Sequence, residues 1–295
     1  RFVVGTSTAG WTTADCDYLC DGTADQVEIN NAITALPATG GEIVILDGTY
    51  NITAKINVTK DNVSIRGNGN ATILKRMYDS STGEGVITLT SRSGCKIANL
   101  QIEGNRTSYT SSNNYGIYLD TSSNNIVTDN TCNSNSHGIY LSSSSNNTVT
   151  DNTCNNNNGR GIYLRTSSDN NTITSNTCNN NNSCGIYLSS SSDNNTVTGN
   201  TCNNNGTGIN LYKASNNTVT GNTCNNNNSY GIYLDTSSSH NTVTGNTCYN
   251  NNSYGIYLNS SSDNNTVTGN TCNNNNSYGI YLYSSSNNNT VTGNT

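Results

Sequence analysis

The sequence predicts an all-β solenoid built from short strands that stack in register, and three observations support this fold class. A repeat unit of 22 to 24 residues recurs from about residue 115 onward, with Gly-Ile-Tyr-Leu near its start and Thr-Val-Thr near its middle. Repeats of this length are typical of solenoids. Charged residues make up only 10% of a chain rich in Asn, Ser, Thr and Gly, and the strict period argues against disorder. The repeat is set by the anchor glycines Gly116, Gly138, Gly161, Gly185, Gly208, Gly231, Gly255 and Gly279.

Each repeat is predicted to form one turn of the solenoid, called a rung here. The number of residues is fixed at one corner of the rung and varies at two others. The Val or Ile of Thr-Val-Thr is always followed five residues later by Cys, as in Val127 and Cys132. The turns on either side of this interval vary by one residue, which predicts three short strands per rung held in register. Alternation then places Ile117 and Leu119 inside and Tyr118 outside.

The inward positions of the third predicted strand form a cysteine column, which we interpret as buried thiols or as partially paired inter-rung disulfides. One Cys per rung offers no tetrahedral ligand set, so we expect no metal and no cofactor. The column consists of Cys132, Cys154, Cys178, Cys202, Cys224, Cys248 and Cys272. An asparagine ladder is predicted at the rigid corner, where side-chain amides bond from rung to rung. Its members are Asn130, Asn152, Asn176, Asn200, Asn222, Asn246 and Asn270.

The N-terminal part differs from the repeats, and we divide the chain into a cap (1–41), irregular first rungs (42–114) and regular rungs (115–295). A short amphipathic capping helix is predicted before Pro37, with Thr23 and Gln26 as a capping box. Cys16 and Cys20 form either a local disulfide or a pair of thiols. Strands are expected at 42–46, 55–58, 62–66, 72–75, 86–90 and 96–102. The sequence stops within a repeat, and we expect an uncapped end that either continues or is covered by another subunit.

Charge and hydropathy argue against several partners. The net charge is −6 with a pI near 4.7, and no Lys or Arg follows Lys213, so nucleic acid and anionic membranes are not expected partners. No apolar run is long enough for a membrane span. Asn-x-Ser/Thr sequons either indicate a secreted, glycosylated surface or arise by chance in so polar a chain. Examples lie at Asn51, Asn57, Asn70, Asn195 and Asn252.

The repeats, together with residues 21–25 (Asp-Gly-Thr-Ala-Asp), Gly40-Gly41 and residues 47–50 (Asp-Gly-Thr-Tyr), resemble the right-handed parallel β-helix repeat family of the pectin-lyase-like superfamily. Archaeal cell-surface β-helix repeat proteins are the most similar members. The resemblance implies a right-handed parallel β-helix with three short strands per rung and a capping helix. That coil carries lyases, hydrolases, epimerases, adhesins and inert fibres, so it implies no activity, and no catalytic residue is carried over.

Outward tyrosines form the main predicted surface. Such rows suit sugar stacking or assembly, or else the rings simply stack on one another. The predicted binding or assembly face comprises Tyr118, Tyr140, Tyr163, Tyr187, Tyr233, Tyr257 and Tyr281, with Tyr230, Tyr254 and Tyr278 in a second column.

Charged positions supply weak catalytic candidates. Asp129 and Asp151 occupy equivalent places on adjacent rungs, where they either bind a cation, act as a glycosidase pair or simply form a turn. His137 and Arg160 are weak candidates to complete such a site, and we expect Arg165 and Asp120 to lie near the same face. No lyase or hydrolase motif accompanies these residues.

These observations favour an extracellular structural or adhesive surface protein, a rod or wall unit that assembles with itself into a filament, sheath or surface layer. A carbohydrate-active enzyme, a polysaccharide lyase or hydrolase, is the rival hypothesis. A glycan-binding module that uses the tyrosine rows is the third.

Overall fold

The chain folds as a right-handed parallel β-solenoid of about 10 turns of about 24 residues, with one short α-helix near the N-terminus. The computed structural model describes residues 1–295. It divides into two compact units, Arg1–Thr153 and Cys154–Thr295. The short helix near the N-terminus has neither the length nor the apolar composition that a bilayer-spanning helix requires.

The first unit contains the helix α1 (Gln26–Ala35), a 3-10 turn at Ser7–Ala9 and the first 13 strands. One of its parallel sheets has the order β2-β1-β3-β6-β8-β10-β13, with β4 and β11 paired to β6 and β8, and the other has the order β12-β9-β7-β5. The strands are β1 (Phe2–Thr6), β2 (Tyr18–Cys20), β3 (Gly41–Ile45), β4 (Gly48–Ile52), β5 (Ile56–Val58), β6 (Val63–Arg76), β7 (Glu84–Thr90), β8 (Lys96–Glu103), β9 (Asn114–Asp120), β10 (Ile126–Thr128), β11 (Thr131–Asn133), β12 (His137–Ser142) and β13 (Thr148–Thr150).

The second unit repeats one pattern, in which a longer strand alternates along the chain with a three-residue Thr-Val/Ile-Thr strand. The longer strands are β14 (Arg160–Arg165), β16 (Cys184–Ser189), β18 (Thr207–Tyr212), β20 (Tyr230–Asp235), β22 (Tyr254–Leu258) and β24 (Tyr278–Leu282). The short ones are β15 (Thr172–Thr174), β17 (Thr196–Thr198), β19 (Thr218–Thr220), β21 (Thr242–Thr244), β23 (Thr266–Thr268) and β25 (Thr290–Thr292). Each set forms its own parallel sheet in chain order.

Register between rungs follows the repeat residue by residue. Ile232 pairs with Ile256, and Leu234 with Leu258, and all four side chains are fully buried. Because β-strand side chains alternate, the tyrosine between them lies on the outer face. The predicted inward and outward positions are therefore confirmed for this strand.

The third side of each rung has less strand pairing than the predicted third strand would give. Only β11 pairs over three residues, and later rungs keep a single bridged threonine, for example Thr201 with Thr223. Left-handed residues, such as Gly199 and Asn204, flank this side and leave four residues between them. The same interval, between Asp129 and Ser134, contains β11, so the two bends limit this side to at most three paired residues.

Asparagines form ladders at three corners of the rung rather than at the one predicted. At the rigid corner, Asn222 Nδ2 donates to Asn246 Oδ1 at 3.0 Å and to Val197 O at 2.9 Å. A second ladder lies just before the Thr-Val-Thr strands and a third lies three residues after each Cys. Their members are Asn171, Asn195, Asn217, Asn241 and Asn265, and Asn157, Asn181, Asn205, Asn227, Asn251 and Asn275. Buried backbone groups at the turns are thereby satisfied without water.

The anchor glycines are fixed by close contact between rungs. A Cβ added to Gly231 would lie 2.6 Å from the Gly255 carbonyl oxygen and 2.8 Å from Cys248 Cβ. Only glycine fits, because the backbone of the next rung and the cysteine that precedes it in the chain occupy the space. Glycine and cysteine therefore recur together for one steric reason.

The N-terminal region departs from prediction in three respects. The capping box is wrong, because α1 begins at Gln26 after Asp25, and the Gln26 side chain bonds to Thr53 instead of returning to the helix. Strands β1, β2 and β4 were not predicted. The predicted strands at 62–66 and 72–75 are one bent strand, β6, with register shifts against β8.

Candidate functional site

The tyrosine face of the second unit is the most extended aromatic surface of the molecule, and we define it by the six tyrosines of β20, β22 and β24. They are Tyr230, Tyr233, Tyr254, Tyr257, Tyr278 and Tyr281. Their rings form two stacked columns, with centroids 4.9 Å apart for Tyr233 and Tyr257 and 5.6 Å apart for Tyr230 and Tyr254. The interplanar angles of these pairs are 5° and 6°. In-register pairing of identical residues produces this stack directly.

The outward tyrosines of the predicted face differ widely in their exposure to solvent. Tyr140, Tyr163 and Tyr257 are only 6%, 8% and 8% exposed, whereas Tyr278 is 57% exposed. Rings of the neighbouring rung cover both faces of an interior ring. What solvent meets along the columns is the ring edge and the phenol hydroxyl.

The hydroxyls of Tyr233 and Tyr257 stay protonated at neutral pH. Burial raises the pKa of Tyr257 to about 12 and also raises the pKa of Tyr233. Tyr233 Oη accepts a hydrogen bond from Asn259 Nδ2 at 3.1 Å. The edge of the face is thus a row of neutral groups that donate and accept hydrogen bonds.

The first unit carries a smaller aromatic cluster on β9 and β12. Tyr118 stacks on Tyr140 with centroids 5.1 Å apart, and Tyr115 stacks on His137 at 5.5 Å. Burial raises the pKa of Tyr118 to about 12. His137 therefore takes part in an aromatic stack at the start of its strand.

Arg160 takes an equivalent stacking position in the second unit. Its guanidinium carbon lies 4.4 Å from the ring centroids of both Tyr163 and Tyr187. Cation–π contacts of this kind suit a guanidinium held over aromatic faces. Arg165 lies at the far end of the same strand and is exposed.

The two candidate carboxylates occupy a turn. Asp129 and Asp151 are exposed and have φ of 57° and 56°, and the equivalent glycines Gly199 and Gly221 have φ of 64° and 63°. Each carboxylate accepts a hydrogen bond from the preceding threonine hydroxyl, at 2.7 Å and 2.8 Å respectively. Left-handed turns favour Gly, Asn and Asp, so the local backbone accounts for these residues.

The weak catalytic candidates of the first unit lie on different parts of the rung. Asp129 and Asp151 follow the short strands of one sheet, whereas His137 begins a strand of the other, and the cysteine side of the rung lies between them. Asp120 pairs with Ser142, at the end of the strand that His137 begins. These groups do not form one acid–base pair.

The cysteine column lies in the interior beside the anchor glycines. All eleven cysteines are present as thiols, and all but Cys16 are buried. Burial raises the pKa of the Cys202 thiol well above its usual value. The column therefore behaves as small apolar side chains in a tight space.

One group of side chains could supply three ligand atoms to a metal ion. Ligand atoms of Cys20, Asp25 and Glu28 lie within 4.8 Å of one another. Both Asp25 oxygens already accept backbone hydrogen bonds, from Gly22 at 2.8 Å and Asn51 at 2.7 Å. These bonds connect the start of α1 to β4, which is a structural role that the sequence patterns did not reveal.

Comparison with known proteins identifies the class. The chain belongs to the right-handed beta helix family, whose model matches residues 42–202 and 167–295. No curated protein sequence matches the chain.

Among solved structures, the chain is similar to the A-module of the mannuronan C-5 epimerase AlgE4 of Azotobacter vinelandii. The identity is 17% and the TM-score 0.75, over 98% of this chain and 96% of that one. It is also similar to ORF18 of Geobacillus virus E2, at 19% identity and a TM-score of 0.71, over 98% and 60% of the two chains. For the Dettilon tailspike protein the identity is 18% and the TM-score 0.71, over 93% and 64%. At these identities the likeness shows the fold alone.

Proposed function

We propose that this chain is a structural or adhesive β-helix unit of an extracellular surface, acting as a rod or wall element that associates with copies of itself. The observation that supports this most is the regularity of the second unit, where asparagine ladders and a buried cysteine column recur from rung to rung and stacked tyrosines line the outer face of β20, β22 and β24. Such a surface presents the same groups at regular intervals, which suits repeated weak contacts with a partner of similar period. A catalytic site needs one irregular cluster of reacting groups.

Self-association is tested on the full chain in solution. Sedimentation velocity and electron microscopy over a range of concentrations should show rods or higher assemblies whose mass grows with concentration. Double replacement of Tyr254 and Tyr278 by Ser should reduce this growth if the tyrosine face is the contact. Dispersed monomers at every concentration would contradict the assembly proposal.

A different measurement tests the rival hypothesis that the protein is a carbohydrate-active enzyme. Incubation with acidic and neutral polysaccharides, followed by detection of new reducing ends, unsaturated products or epimerised sugars, should give no product above background. Product release that Asp151→Asn abolishes would replace the structural proposal with an enzymatic one.

A glycan-binding role of the tyrosine face is the second candidate, supported by its row of neutral hydroxyl edges. Because interior ring faces are covered by neighbouring rings, a sugar would meet hydroxyls rather than ring faces. Replacing Tyr233 and Tyr257 by Phe keeps the stacked rings and removes only the hydroxyls. If the face binds glycan, this variant loses binding to a glycan array as fully as the double variant Tyr233→Ala/Tyr257→Ala does. Equal binding by the Phe variant and the native protein would dismiss the hydroxyl edge as the site.

A further inference from the structure

A small pocket in the first unit lies beside the end of β3. It has a volume of about 320 Å³ and is lined by Trp11, Leu46, Asp47, Arg66 and Asn68 among others. This volume lies at the lower end of the range for small-molecule sites. The pocket has room for a ligand about the size of one sugar residue.

Trp11, the only tryptophan of the chain, is held in a fixed position in this pocket. Its Nε1 donates to the Asp47 carbonyl oxygen at 2.7 Å. Val44 and Ile45 are buried beneath the pocket, and Leu46 is half-buried. An indole fixed by its own hydrogen bond over an aliphatic floor offers a flat apolar wall with little entropy to lose on binding.

Polar groups of both kinds surround that wall. Asn68 Nδ2 lies 3.1 Å and 3.4 Å from the two Asp47 carboxylate oxygens and so orients the acceptor. Arg66 Nε donates to Glu42 Oε1 at 2.8 Å, which leaves the two terminal amino groups of the guanidinium available to a ligand. Sugar hydroxyls both donate and accept, so a carboxylate next to a guanidinium and an amide matches them.

Charge selects between neutral and acidic ligands. Glu42 pairs with Arg66 and with Arg1, at 2.8 Å and 3.3 Å. Together with Asp47 these groups amount to two positive and two negative charges. An anionic ligand would meet the Asp47 carboxylate without a surplus cation to offset it.

We propose that this pocket binds one neutral sugar residue of an oligosaccharide, with its apolar face against Trp11 and its hydroxyls bonded to Asp47, Arg66 and Asn68. The site is independent of assembly and of the tyrosine face, so its failure would leave the structural proposal untouched. It would give an adhesive β-helix a specific ligand at its N-terminal end.

The single tryptophan makes the pocket directly observable. Tryptophan emission of the full chain is titrated with mannohexaose, maltohexaose and cellohexaose as neutral probes and with oligogalacturonate as the acidic probe. At least one neutral probe should produce a saturable change in Trp11 emission. Asp47→Asn should weaken its binding at least tenfold, because it replaces one acceptor oxygen of the carboxylate with an NH2 donor and removes the negative charge.

Matched controls separate the pocket from the rest of the molecule. Arg92 forms an ion pair with Asp61 at 3.6 Å and does not line the pocket, so Arg92→Gln should leave the titration unchanged. The Tyr233→Phe/Tyr257→Phe variant should also titrate as the native protein does. Circular dichroism and urea midpoints establish that each variant is folded. The proposal is overturned if no neutral probe saturates, if the acidic probe binds more tightly than every neutral one, or if Asp47→Asn binds normally.

Discussion

The two units of the chain are stabilised in different ways. In Arg1–Thr153, residues make individual contacts, including four ion pairs and the fully buried Arg76, whose Nη2 donates to the carbonyl oxygens of Glu84 and Tyr115. In Cys154–Thr295 the same contacts recur in each rung, and no Lys or Arg follows Lys213. Because the rungs are nearly identical, the same packing contacts and hydrogen bonds form between each pair of neighbouring rungs. Singular sites, such as the Trp11 pocket, therefore belong to the irregular unit.

The largest predicted effect tests whether rung contact is as tight as the repeated unit indicates. Gly231→Ala should lower the free energy of unfolding by about 3 kcal/mol, because the new methyl group meets backbone and Cys248 and the rungs must separate. Urea unfolding followed by circular dichroism measures the change.

The control for that substitution is Gly245→Ala in the same rung. Gly245 has φ of +64° and no atom within 4 Å of an added Cβ. Its replacement should cost only the left-handed backbone penalty, about 1 kcal/mol. Equal losses at the two glycines would show that backbone strain, not contact between rungs, explains the anchor positions.

The second prediction concerns the asparagine ladders. Asn222 is 1% exposed, and its Oδ1 accepts from both the backbone N and the Nδ2 of Asn200, at 2.9 Å and 3.0 Å. Asn222→Ala leaves the buried backbone N–H of Asn200 without its partner and removes one hydrogen bond each from Asn200 Nδ2 and the Val197 carbonyl, which should cost about 2 kcal/mol. The urea midpoint and local amide exchange near Asn200 should report the loss.

Asn228 provides the comparison, because it is exposed and makes only a backbone bond, to Asn205 O at 2.8 Å. Asn228→Ala should change stability by less than about 0.5 kcal/mol. If both asparagines prove equally tolerant, the ladders are a consequence of composition and do not stabilise the coil.

The contrast between the units also explains which features of the fold could be predicted from the sequence. Period and alternation were enough for the solenoid, the inner Ile and Leu positions and the ladder that includes Asn222, because seven copies report the same environment. The other two ladders had an equally regular signal, such as an Asn three residues after every Cys, but they lay in tracts of several asparagines where one position does not stand out. Near the N-terminus each residue occurs in a single environment, so no equivalent positions can be compared. Gln26 was therefore assigned to a capping box, although its side chain bonds to Thr53.

Site prediction was limited by a different physical factor. The sequence identifies which tyrosines face outward, but not that stacking covers their faces, since this depends on ring orientation between rungs. The Trp11 pocket depends on residues 30 to 60 positions apart and has no motif. The carboxylates at Asp129 and Asp151 are recognisable as turn residues once glycines are seen at the same place in later rungs.

The third prediction uses the cysteine column to separate buried from half-buried thiols by pH. The folded pKa of Cys202 is raised by burial, so its contribution to stability is complete below the unfolded pKa, near 8.5, and is lost as pH rises above that value. Between about pH 8 and 9.5 the native protein should lose about 1 kcal/mol more than Cys202→Ala does. The half-buried Cys16 serves as control, and Cys16→Ala should follow the native pH dependence more closely. Coincident curves for the native protein and Cys202→Ala would mean that the column thiol is not protected.

The smallest change in stability is expected at the left-handed turn after the short strands, where Asp151 of the first unit has the same backbone conformation as the glycines of the second unit. Asp151→Gly converts its turn to the form found at Gly199 and Gly221, and should alter stability by less than about 0.5 kcal/mol. Relief of the left-handed backbone is offset by the greater freedom of the unfolded chain and by loss of the exposed bond from the Thr150 hydroxyl. Urea unfolding of Asp151→Gly and of the reverse change Gly245→Asp measures both directions of the exchange. A loss above about 2 kcal/mol in Asp151→Gly would show that the carboxylate has a role beyond the turn, and the two units would then differ even where their backbones agree.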